Sequence, residues 1–523
     1  MTTARQATAP QQSGSRTNIL FLMTDQHRVD TLGVYGNTSA NTPVLDELAR
    51  TGTRFDRWYT PTAICTPARA SLLTGQAPFR HKLLANHERN VGYIEDLPEG
   101  QFVFSEALRE NGYNTGLIGK WHIGYHRRAA DFGFDGPDFP GWHNPVDHQE
   151  YLQYLSDNKL PPYEIHDQIR GVLPNGGPGN LLAARLKQPV EATFEHFLAT
   201  RAIQLLETYA TDRHSDGTPF FLELSFFGPH LPYVVPDEYF DLIDPDLVEL
   251  PRSIAETFAG KPPVQSNYSA HWTFDTLPIE VSRKLIAVYW GYVAMIDREI
   301  GRVMEAMERL GLTDSTAVFF TCDHGEFTGS HRLHDKGPAM YEDIYRTPGI
   351  LRIPGQQPGI VRNEFVSLLD CTATILDLAG IDPELAIDSR SLLPLTSDDP
   401  VDWQDDIVCE FHGHHFPYPQ RMLRNDRYKL VVNPDSVNEL YDLECDPDEL
   451  VNQYAHPELL GVRTSMMHRL YQVLRDRGDN FYHWMTSMYD VGEIIYDPTL
   501  SGLDEATYRR ESHAVTHEAA KDV

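Results

Sequence analysis

The chain has 523 residues, 41% hydrophobic and 23% charged, so one large domain and at least one smaller one are expected. Acidic residues outnumber basic ones by 75 to 44, and the net charge of −31 repels nucleic acid and anionic membranes. An anionic small substrate would therefore need a locally basic pocket.

The cysteines and the N-terminal segment indicate the compartment. The five cysteines, at positions 65, 322, 371, 409 and 445, are odd in number and widely spaced, which fits a reducing compartment better than a disulfide framework. Residues 1–16 are polar, lack the apolar run of a secretory signal, and are predicted to be a disordered lead. No run of 18 apolar residues follows, so we expect a cytoplasmic protein that does not enter a membrane.

Four apolar runs are each followed by ionisable residues, in a pattern typical of strands buried on both faces. The runs are NILFLMT (18–24) before Asp25, NTGLIG (114–119) before Lys120 and His122, PFFLELSFF (219–227) before His230, and STAVFFTC (315–322) before Asp323 and His324. Helical patterns lie between them, for example at 42–51, 104–111 and 283–310. This alternation predicts an α/β fold with a large, mostly parallel sheet sandwiched by helices, whose strand ends share one crevice.

Composition suggests the domain boundaries. The catalytic body is predicted at 17–395, because a polar, acidic break, TSDDPVDWQDD, follows Leu395. A smaller α+β domain is expected at 396–478, with strands at 407–411 and 427–433 and a helix near 462–477. The tail, 479–523, carries aromatic residues without a clear period and is predicted to be extended, on the body or on a neighbouring subunit.

The stretch Cys65-Thr66-Pro67-Ala68-Arg69 opens an apparent helix, ARASLLTG. Proline suits the first turn of a helix, and a helix start offers backbone N–H groups to an anion. The alternative interpretation is a packed cysteine, since a lone cysteine is usually a small buried hydrophobe.

These motifs resemble the sulfatase family of the alkaline phosphatase superfamily, including phosphonate monoester hydrolases and choline-sulfatase-like enzymes. The resemblance spans about 18–477 and rests on Asp25, CTPAR with ASLLTG, GKWHIG (119–124), GPHLPY (228–233) and DHGEFTGSHRLHDKG (323–337), in the expected order. It implies an alkaline-phosphatase-like fold, one divalent metal ion, and oxidation of Cys65 to formylglycine by a formylglycine-generating enzyme. Hydrated formylglycine is a geminal diol, which avoids the stable ester that a serine or cysteine nucleophile would leave.

The resemblance also implies roles for individual residues. The metal ligands would be Asp25, Gln26, the diol oxygen of residue 65 (Cys65), Asp323 and His324. Calcium is expected first, with manganese or magnesium next, because the ligands are rich in oxygen. Many relatives have a second acid at the position of Gln26 and asparagine at that of His324, so this chain is more similar to the phosphonate monoester hydrolase and choline-sulfatase branches.

The other implied roles concern charge and protons. Arg69 would orient the diol, Lys120 and Lys336 would contact the anionic oxygens of the substrate, and His122 would help the diol to collapse. Either His230 or Lys336 would protonate the leaving alkoxide. His412, His414 and His415 are predicted to lie at the rim of the substrate pocket rather than to bind a second metal. The sequence leaves open whether Asn86, His87, Glu88, His126, Arg127, Trp142, His143, His331 and His334 shape the pocket.

Three functions follow from this interpretation. The first is hydrolysis of sulfate monoesters of small alkyl or aryl alcohols, releasing sulfate and an alcohol. The second is hydrolysis of phosphonate monoesters or phosphodiesters by the same residues. The third, from another class, is a non-catalytic binding protein that keeps the fold. A homo-oligomer, dimer or tetramer, is expected from the aromatic tail and from the resemblance to multimeric relatives.

Overall fold

The computed structural model describes residues 16–39, 41–86, 91–141, 145–173, 175–385 and 387–488. The predicted lead therefore lies outside the described residues except for Arg16, as does the tail from residue 489. The chain divides into two compact units, Met1–Asn452 and Gln453–Val523. The predicted boundary after residue 395 stays a prediction.

Strands and helices alternate through the first unit. In chain order the strands are β1 (Asn18–Thr24), β2 (Thr53–Phe55), β3 (Trp58–Tyr59), β4 (Asn114–Lys120), β5 (Asp138–Phe139), β6 (Ile165–Val172), β7 (Pro178–Leu186), β8 (Phe220–Ser225), β9 (Tyr233–Pro236), β10 (Thr316–Cys322), β11 (Gly349–Arg352), β12 (Ile360–Arg362), β13 (Val366–Ser367), β14 (Asp406–Gly413), β15 (Pro417–Asn425), β16 (Tyr428–Val432) and β17 (Glu439–Asp442).

The helices include the three predicted within the body, with ends shifted by a few residues. In chain order they are α1 (Pro43–Thr51), α2 (Cys65–Thr74), α3 (Pro78–His81), α4 (Phe104–Glu110), α5 (Gln149–Asp157), α6 (Phe194–Asp216), α7 (Asp237–Phe240), α8 (Pro263–His271), α9 (Ile279–Arg309), α10 (Glu342–Tyr345), α11 (Asp370–Leu378), α12 (Leu460–Arg477) and α13 (Phe481–Met488). Among the residues searched, none of these helices is both long enough and apolar enough to cross a bilayer.

The central sheet has eight strands in the order β12-β2-β11-β10-β1-β8-β4-β5. The four strands predicted from the apolar runs lie side by side as β10-β1-β8-β4, and each neighbouring pair is parallel. β11 runs antiparallel to β10 and to β2, so the sheet is mixed. The predicted fold class is confirmed.

Strand β1 explains why helices cover both faces of this sheet. All seven of its residues are buried, and successive side chains point to opposite faces. Leu20 and Leu22 enter a core that includes Leu285 and Val288 of α9. Ile19, Phe21 and Met23 enter the other core, with residues of α2, α4 and α11. An apolar run without alternation is therefore what this central position requires.

Two smaller sheets accompany the central one. Strands β14-β15-β16-β17 form an antiparallel sheet, and its Cys409 and Phe411 share a core with Ile344 and Tyr345. Strands β6-β7-β9 form a three-stranded sheet, in which β7 is antiparallel to β6 and parallel to β9. In the chain, β6 and β7 lie between the motifs GKWHIG and GPHLPY, and β9 begins at the last residue of GPHLPY.

The second unit contains α12, which matches the predicted helix, and α13. The prediction of an extended tail is wrong for 481–488, which are helical. Phe481 and Met485 are buried one turn apart, and the ring of Tyr482 lies 5.9 Å from that of Tyr471 in α12. Spacing of three and four residues within so short a segment gives a weak helical signal, because helices rarely persist at that length without tertiary packing.

Candidate active site

The predicted polar residues meet at one edge of the central sheet. Asp25 follows β1, Asp323 follows β10, Lys120 ends β4, and His230 lies in the loop after β8. Because these four strands are parallel neighbours, their carboxyl ends meet where ligands bind in open α/β sheets. Cys65, the first residue of α2, lies among them.

Four potential metal donors form a buried cluster: Asp25, Cys65, Asp323 and His324, whose ligand atoms all lie within 4.8 Å of one another. Cys65 Sγ is 3.1 Å from Nε2 of His324 and 3.9 Å from Oδ1 of Asp25. His324 Nδ1 lies 2.8 Å from the carbonyl oxygen of Gly325, which directs Nε2 towards the cluster. Two carboxylates and one oriented imidazole are groups that can hold a divalent cation.

Gln26 lies beside this cluster in a left-handed backbone conformation, with φ of 61°. Its backbone N–H donates to Oδ1 of Asp323 at 3.1 Å, and its Nε2 donates to Glu326. Its Oε1 accepts from Nζ of Lys336 at 3.1 Å. The carbonyl end of the amide thus faces the cationic side of the site, where it can also serve as an oxygen ligand.

Arg69 connects the two carboxylates from within α2. Its Nε donates to Asp323 Oδ2 at 2.9 Å and its Nη2 to Asp25 Oδ2 at 3.1 Å. Nη1 donates to the carbonyl oxygen of Lys120 and to Oγ of Ser225, at 3.0 and 2.7 Å. The guanidinium is 2% exposed, so it is a fixed part of the site rather than a mobile surface charge.

The cations around the cluster set its potential. Lys120 forms an ion pair with Asp25. Burial favours the neutral acid at Asp25, yet Lys120 and Arg69 hold the pKa of this carboxyl below its ordinary value. Burial also raises the pKa of the Cys65 thiol, but Lys120 and Lys336 outweigh it and hold that pKa well below the ordinary value. Position 65 therefore lies in a strongly positive local field within an acidic protein.

His122 approaches residue 65 from the loop after β4. It is buried, its φ is 53°, and its side chain hydrogen-bonds to that of Cys65. Burial and the nearby Lys120 lower the pKa of His122 to about 3, so the imidazole is neutral near pH 7.

His230 and Lys336 form the opposite pair. His230 Nδ1 lies 2.6 Å from the carbonyl oxygen of Leu231, so that nitrogen carries the hydrogen. Nε2 then accepts from Lys336 Nζ, 2.7 Å away. Burial lowers the pKa of Lys336, but Asp335, whose Oδ1 lies 3.0 Å from Nζ, raises it above its ordinary value. Lys336 is therefore charged and holds the shared proton.

All the predicted site residues thus lie at one location, and the structure adds partners that sequence reasoning missed. Ser225 bonds Arg69, Glu326 bonds Gln26, and Asp335 pairs with Lys336. Asn86 Oδ1 accepts from the backbone N–H of Thr66, in the first turn of α2. Glu326 and Asp335 lay within the quoted DHGEFTGSHRLHDKG motif, whereas Ser225 sat inside an apolar run with no signal of its own.

A cavity of about 710 Å³ adjoins the cluster, lined at one end by Cys65, Lys120, His122, His230 and Lys336. Asn86, which the sequence left undecided, lines the cavity. His414 and His415, predicted to lie at the rim of the pocket, also line it. His412 instead pairs with Glu410 at 2.7 Å, and His331 stacks on Tyr341 with ring centroids 3.7 Å apart. His126 is largely exposed. His87, Glu88, Trp142 and His143 lie outside the described residues.

Known proteins resemble this chain in sequence. Residues 17–381 match the protein-family model described as "Sulfatase", and residues 329–476 match one described as "N-sulphoglucosamine sulphohydrolase, C-terminal". The chain is 28% identical to the "Uncharacterized sulfatase YidJ" of Escherichia coli (strain K12) over 485 residues, 90% of each protein. It is 28% identical to the "Choline-sulfatase" of Rhizobium meliloti (strain 1021) over 457 residues, 84% of this chain and 83% of that one.

A solved structure has the same fold. It is that of the phosphonate monoester hydrolase from Silicibacter pomeroyi, with a TM-score of 0.73 and 24% sequence identity, over 90% of this chain and 97% of that one. At that identity the likeness concerns the fold alone.

Proposed function

The chain belongs to the sulfatase family, and on that premise we propose that it hydrolyses sulfate monoesters at Cys65, releasing inorganic sulfate and an alcohol. The observation that carries the proposal is the position of Cys65. It begins a helix, touches a cluster of potential metal donors, and lies in a positive field at the end of an open cavity. A cysteine retained only for packing would need none of these neighbours.

We further propose that a formylglycine-generating enzyme oxidises Cys65 to formylglycine. The hydrated aldehyde supplies two hydroxyls on one carbon, so that one can displace the alcohol from sulfur and the other can afterwards expel sulfate. His122 is the neutral base closest to this process, because its side chain already hydrogen-bonds to residue 65. It would accept the proton whose removal reforms the carbonyl.

Asp25, Gln26, Asp323 and His324, with the side chain of residue 65, would hold one divalent cation. Calcium is the first candidate and manganese or magnesium the next, since the set is rich in oxygen. A bound dication would lower the pKa of an adjacent hydroxyl towards neutrality. Arg69 keeps the two carboxylates in place and offsets their mutual repulsion.

The remaining cations suit a tetrahedral anion. Lys120, His230 and Lys336 all line the cavity. The ammonium groups of the two lysines would bind the oxygens of the sulfuryl group. Lys336 would also supply the proton needed by the departing alkoxide, because His230 Nε2 accepts rather than donates in their hydrogen bond. His230 would then orient the ammonium group of Lys336 through their hydrogen bond.

Hydrolysis of phosphonate monoesters or phosphodiesters is the second candidate. These esters and sulfate monoesters are all singly charged tetrahedral anions near neutral pH, so the same residues would serve. Gln26 is neutral, so the site carries one negative charge fewer than it would with a second acid at this position. Such a site suits either substrate. Relative turnover of a sulfate ester and its matched phosphonate ester decides between them.

Location, assembly and domain division complete the proposal. A cytoplasmic location rests on the cysteine content, and a homo-oligomer rests on the aromatic segment near residues 481–496. The division into a catalytic body, 17–395, and a C-terminal α+β portion, 396–478, is supported by the separate antiparallel sheet β14-β17. Fractionation of the native host, light scattering and limited proteolysis test the three statements.

The decisive experiment measures the modification of residue 65 and the activity on the same protein. Protein from its native host would be digested, and the mass of the peptide containing residue 65 would be determined by mass spectrometry. Sulfate release by the undigested protein would be assayed in parallel. We expect formylglycine at residue 65 and turnover of aryl and alkyl sulfates, both lost in Cys65→Ala with folding retained. An unmodified thiol in active enzyme, or wild-type turnover by Cys65→Ala, would defeat the proposal.

A further inference from the structure

The cavity beside Cys65 is much larger than the group that reacts there. Its volume of about 710 Å³ lies within the range of about 300–1,000 Å³ that is typical of small-molecule sites. A sulfuryl group fills only a small part of that space. The rest of the cavity must accommodate the alcohol portion of the ester, so its lining reports the chemistry of that alcohol.

One part of the lining is a continuous aromatic surface that begins at the catalytic end. Lys120 Nζ lies 5.7 Å from the ring centroid of Phe227. Phe227 lies 5.4 Å from Phe194, and Phe194 lies 5.2 Å from Tyr151, in both cases edge to face. All three rings line the cavity. A substrate held by Lys120 would therefore place its alcohol portion against aromatic carbon.

A second group of rings lines the same cavity beside Lys336. Trp272 lies 5.3 Å from His415, and His415 lies 3.9 Å from His414. Burial holds the pKa of His414 well below its ordinary value, so this imidazole is neutral. Trp272 and His414 therefore offer flat surfaces without a positive charge.

Aliphatic side chains from the small sheet β6-β7-β9 and from the loop before β9 also line the cavity. Ile165, Leu181, Leu231 and Val234 are each only half-buried and each face the cavity. Apolar surface left open in this way is stabilised by contact with an apolar ligand.

Charged groups are few along this surface. Among the described residues of the lining, the only lysines are Lys120 and Lys336, and there is no arginine. Both lysines belong to the catalytic end. Glu195 is buried and already bonded, since Tyr292 donates to its Oε1 at 2.6 Å and the backbone of Gly228 also donates to it. Asp335 also lines the cavity and is paired with Lys336, 3.0 Å from its Nζ. The described part of the wall thus presents neither a spare lysine or arginine for a polyanionic alcohol nor an unpaired carboxylate for a cationic one.

We propose that the alcohol portion of the substrate is neutral and largely apolar, with a ring or branched chain that packs on the surface formed by Phe227, Phe194, Leu181 and Trp272. The inference rests on the proposed function and narrows it. It excludes glycans with several anionic groups as preferred substrates.

The test compares esters of primary alcohols, whose leaving groups are similar in basicity, so that binding of the alcohol portion dominates the differences. The esters are cyclohexylmethyl sulfate, ethyl sulfate, glucose sulfated on its primary hydroxyl, the same sugar with a second sulfate, and choline sulfate. We expect kcat/KM to be at least about tenfold higher for cyclohexylmethyl sulfate than for any other. A preference for either sugar or for choline sulfate, or equal values throughout, would overturn the inference.

Variants locate the effect in the cavity. Leu181→Ala and Trp272→Ala should each reduce the ratio of kcat/KM for cyclohexylmethyl sulfate to kcat/KM for ethyl sulfate by about threefold or more. Leu247→Ala is the matched control, because Leu247 is 73% exposed and does not line the cavity. An unchanged preference in both cavity variants would contradict the assignment of this surface.

A binding measurement separates failure of this inference from failure of the proposed function. Cys65→Ala would be titrated calorimetrically with cyclohexylmethyl sulfate, ethyl sulfate and choline sulfate. Tighter binding of the cyclohexylmethyl ester supports the inference even if no sulfate ester is turned over by the wild type, a result that would count against sulfatase activity alone. Equal or weaker binding of that ester would refute the inference whatever the activity.

Discussion

Lys336 Nζ lies 2.7 Å from Nε2 of His230, and the second ring nitrogen of His230 faces the carbonyl oxygen of Leu231. The proton between the two side chains therefore belongs to Lys336. A leaving alkoxide needs a proton in proportion to its basicity, so this pair should matter most for esters of poorly acidic alcohols.

Lys336→Ala tests that assignment. We expect kcat to fall about 100-fold or more for an alkyl sulfate and much less for nitrophenyl sulfate, whose phenolate needs little protonation. The measurement is the slope of log kcat against the pKa of the leaving alcohol, which should steepen in the variant. His230→Gln, which retains an acceptor for Lys336, should steepen it less. Equal losses for all leaving groups would assign Lys336 to anion binding alone.

Arg69→Ala should destabilise the fold as well as abolish activity. The change leaves Asp25 and Asp323, both fully buried, without their shared guanidinium, and removing one partner of a buried ion pair typically costs about 3–5 kcal/mol. Urea unfolding monitored by tryptophan fluorescence measures the loss.

The comparison for Arg69 is Arg109→Ala. Arg109 is half-exposed and 3.7 Å from Asp135, so its loss should cost about 1 kcal/mol or less. Similar unfolding free energies for the two variants would show that Arg69 does not hold the carboxylates in place.

Removal of divalent cations should lower the melting temperature reversibly. The buried carboxylates of Asp25 and Asp323 lie 3.9 Å from Cys65 Sγ and 2.9 Å from Arg69 Nε, respectively, and a bound dication should stabilise them. A ligand present at about 100 times its Kd adds about 2.7 kcal/mol to the free energy of unfolding. Calcium returned after chelation should restore the transition in the wild type but not in Asp323→Ala. Glu47→Gln, an exposed change, should respond like the wild type. A transition insensitive to chelator and calcium would remove the metal from the proposal.

The sequence could predict the sheet and most of the site because both depend on local patterns. Runs such as NILFLMT have few alternatives to a strand buried on both faces, and polar residues that end such strands in a parallel sheet must converge. The helix opened by Cys65 was visible from Pro67 and from the apolar residues that follow.

Other parts of the site depend on contacts that no local pattern encodes. Ser225 meets Arg69 across 156 positions, and Gln26 meets Glu326 across 300. The strand β6, IHDQIRGV, is mostly polar and exposed and pairs with β7 through several register shifts, so periodicity does not reveal it. Yet the sheet that it begins supplies part of the cavity wall, and with it the proposed preference for an apolar alcohol.

Asp297 is expected to make stability depend on pH through a contact far from the active site. This residue of α9 is buried, and its carboxylate accepts from the backbone N–H groups of Val44 and Leu45 at the start of α1, at 3.1 and 2.8 Å. Burial raises its pKa from the model-compound value of 3.8 to about 7, against the lowering by those two hydrogen bonds.

The native state therefore binds more protons than the unfolded state between about pH 4 and 7, and the contribution of Asp297 to stability falls as the pH rises through that window. Asp297→Asn does not titrate, so its unfolding free energy minus that of the wild type should increase with pH, by up to about 1.4 kcal/mol per unit, and level off above pH 7. Asp297→Ala removes the same titration, so its difference from the wild type should have the same pH slope. Its unfolding free energy should lie about 1–3 kcal/mol below that of Asp297→Asn at every pH, since two N–H groups lose their acceptor. Urea unfolding between about pH 5 and 8 measures both, with Glu305→Gln on the exposed face of the same helix as the control. A difference between Asn and Asp that does not change with pH would mean that the carboxyl is ionised throughout and acts only as a helix cap.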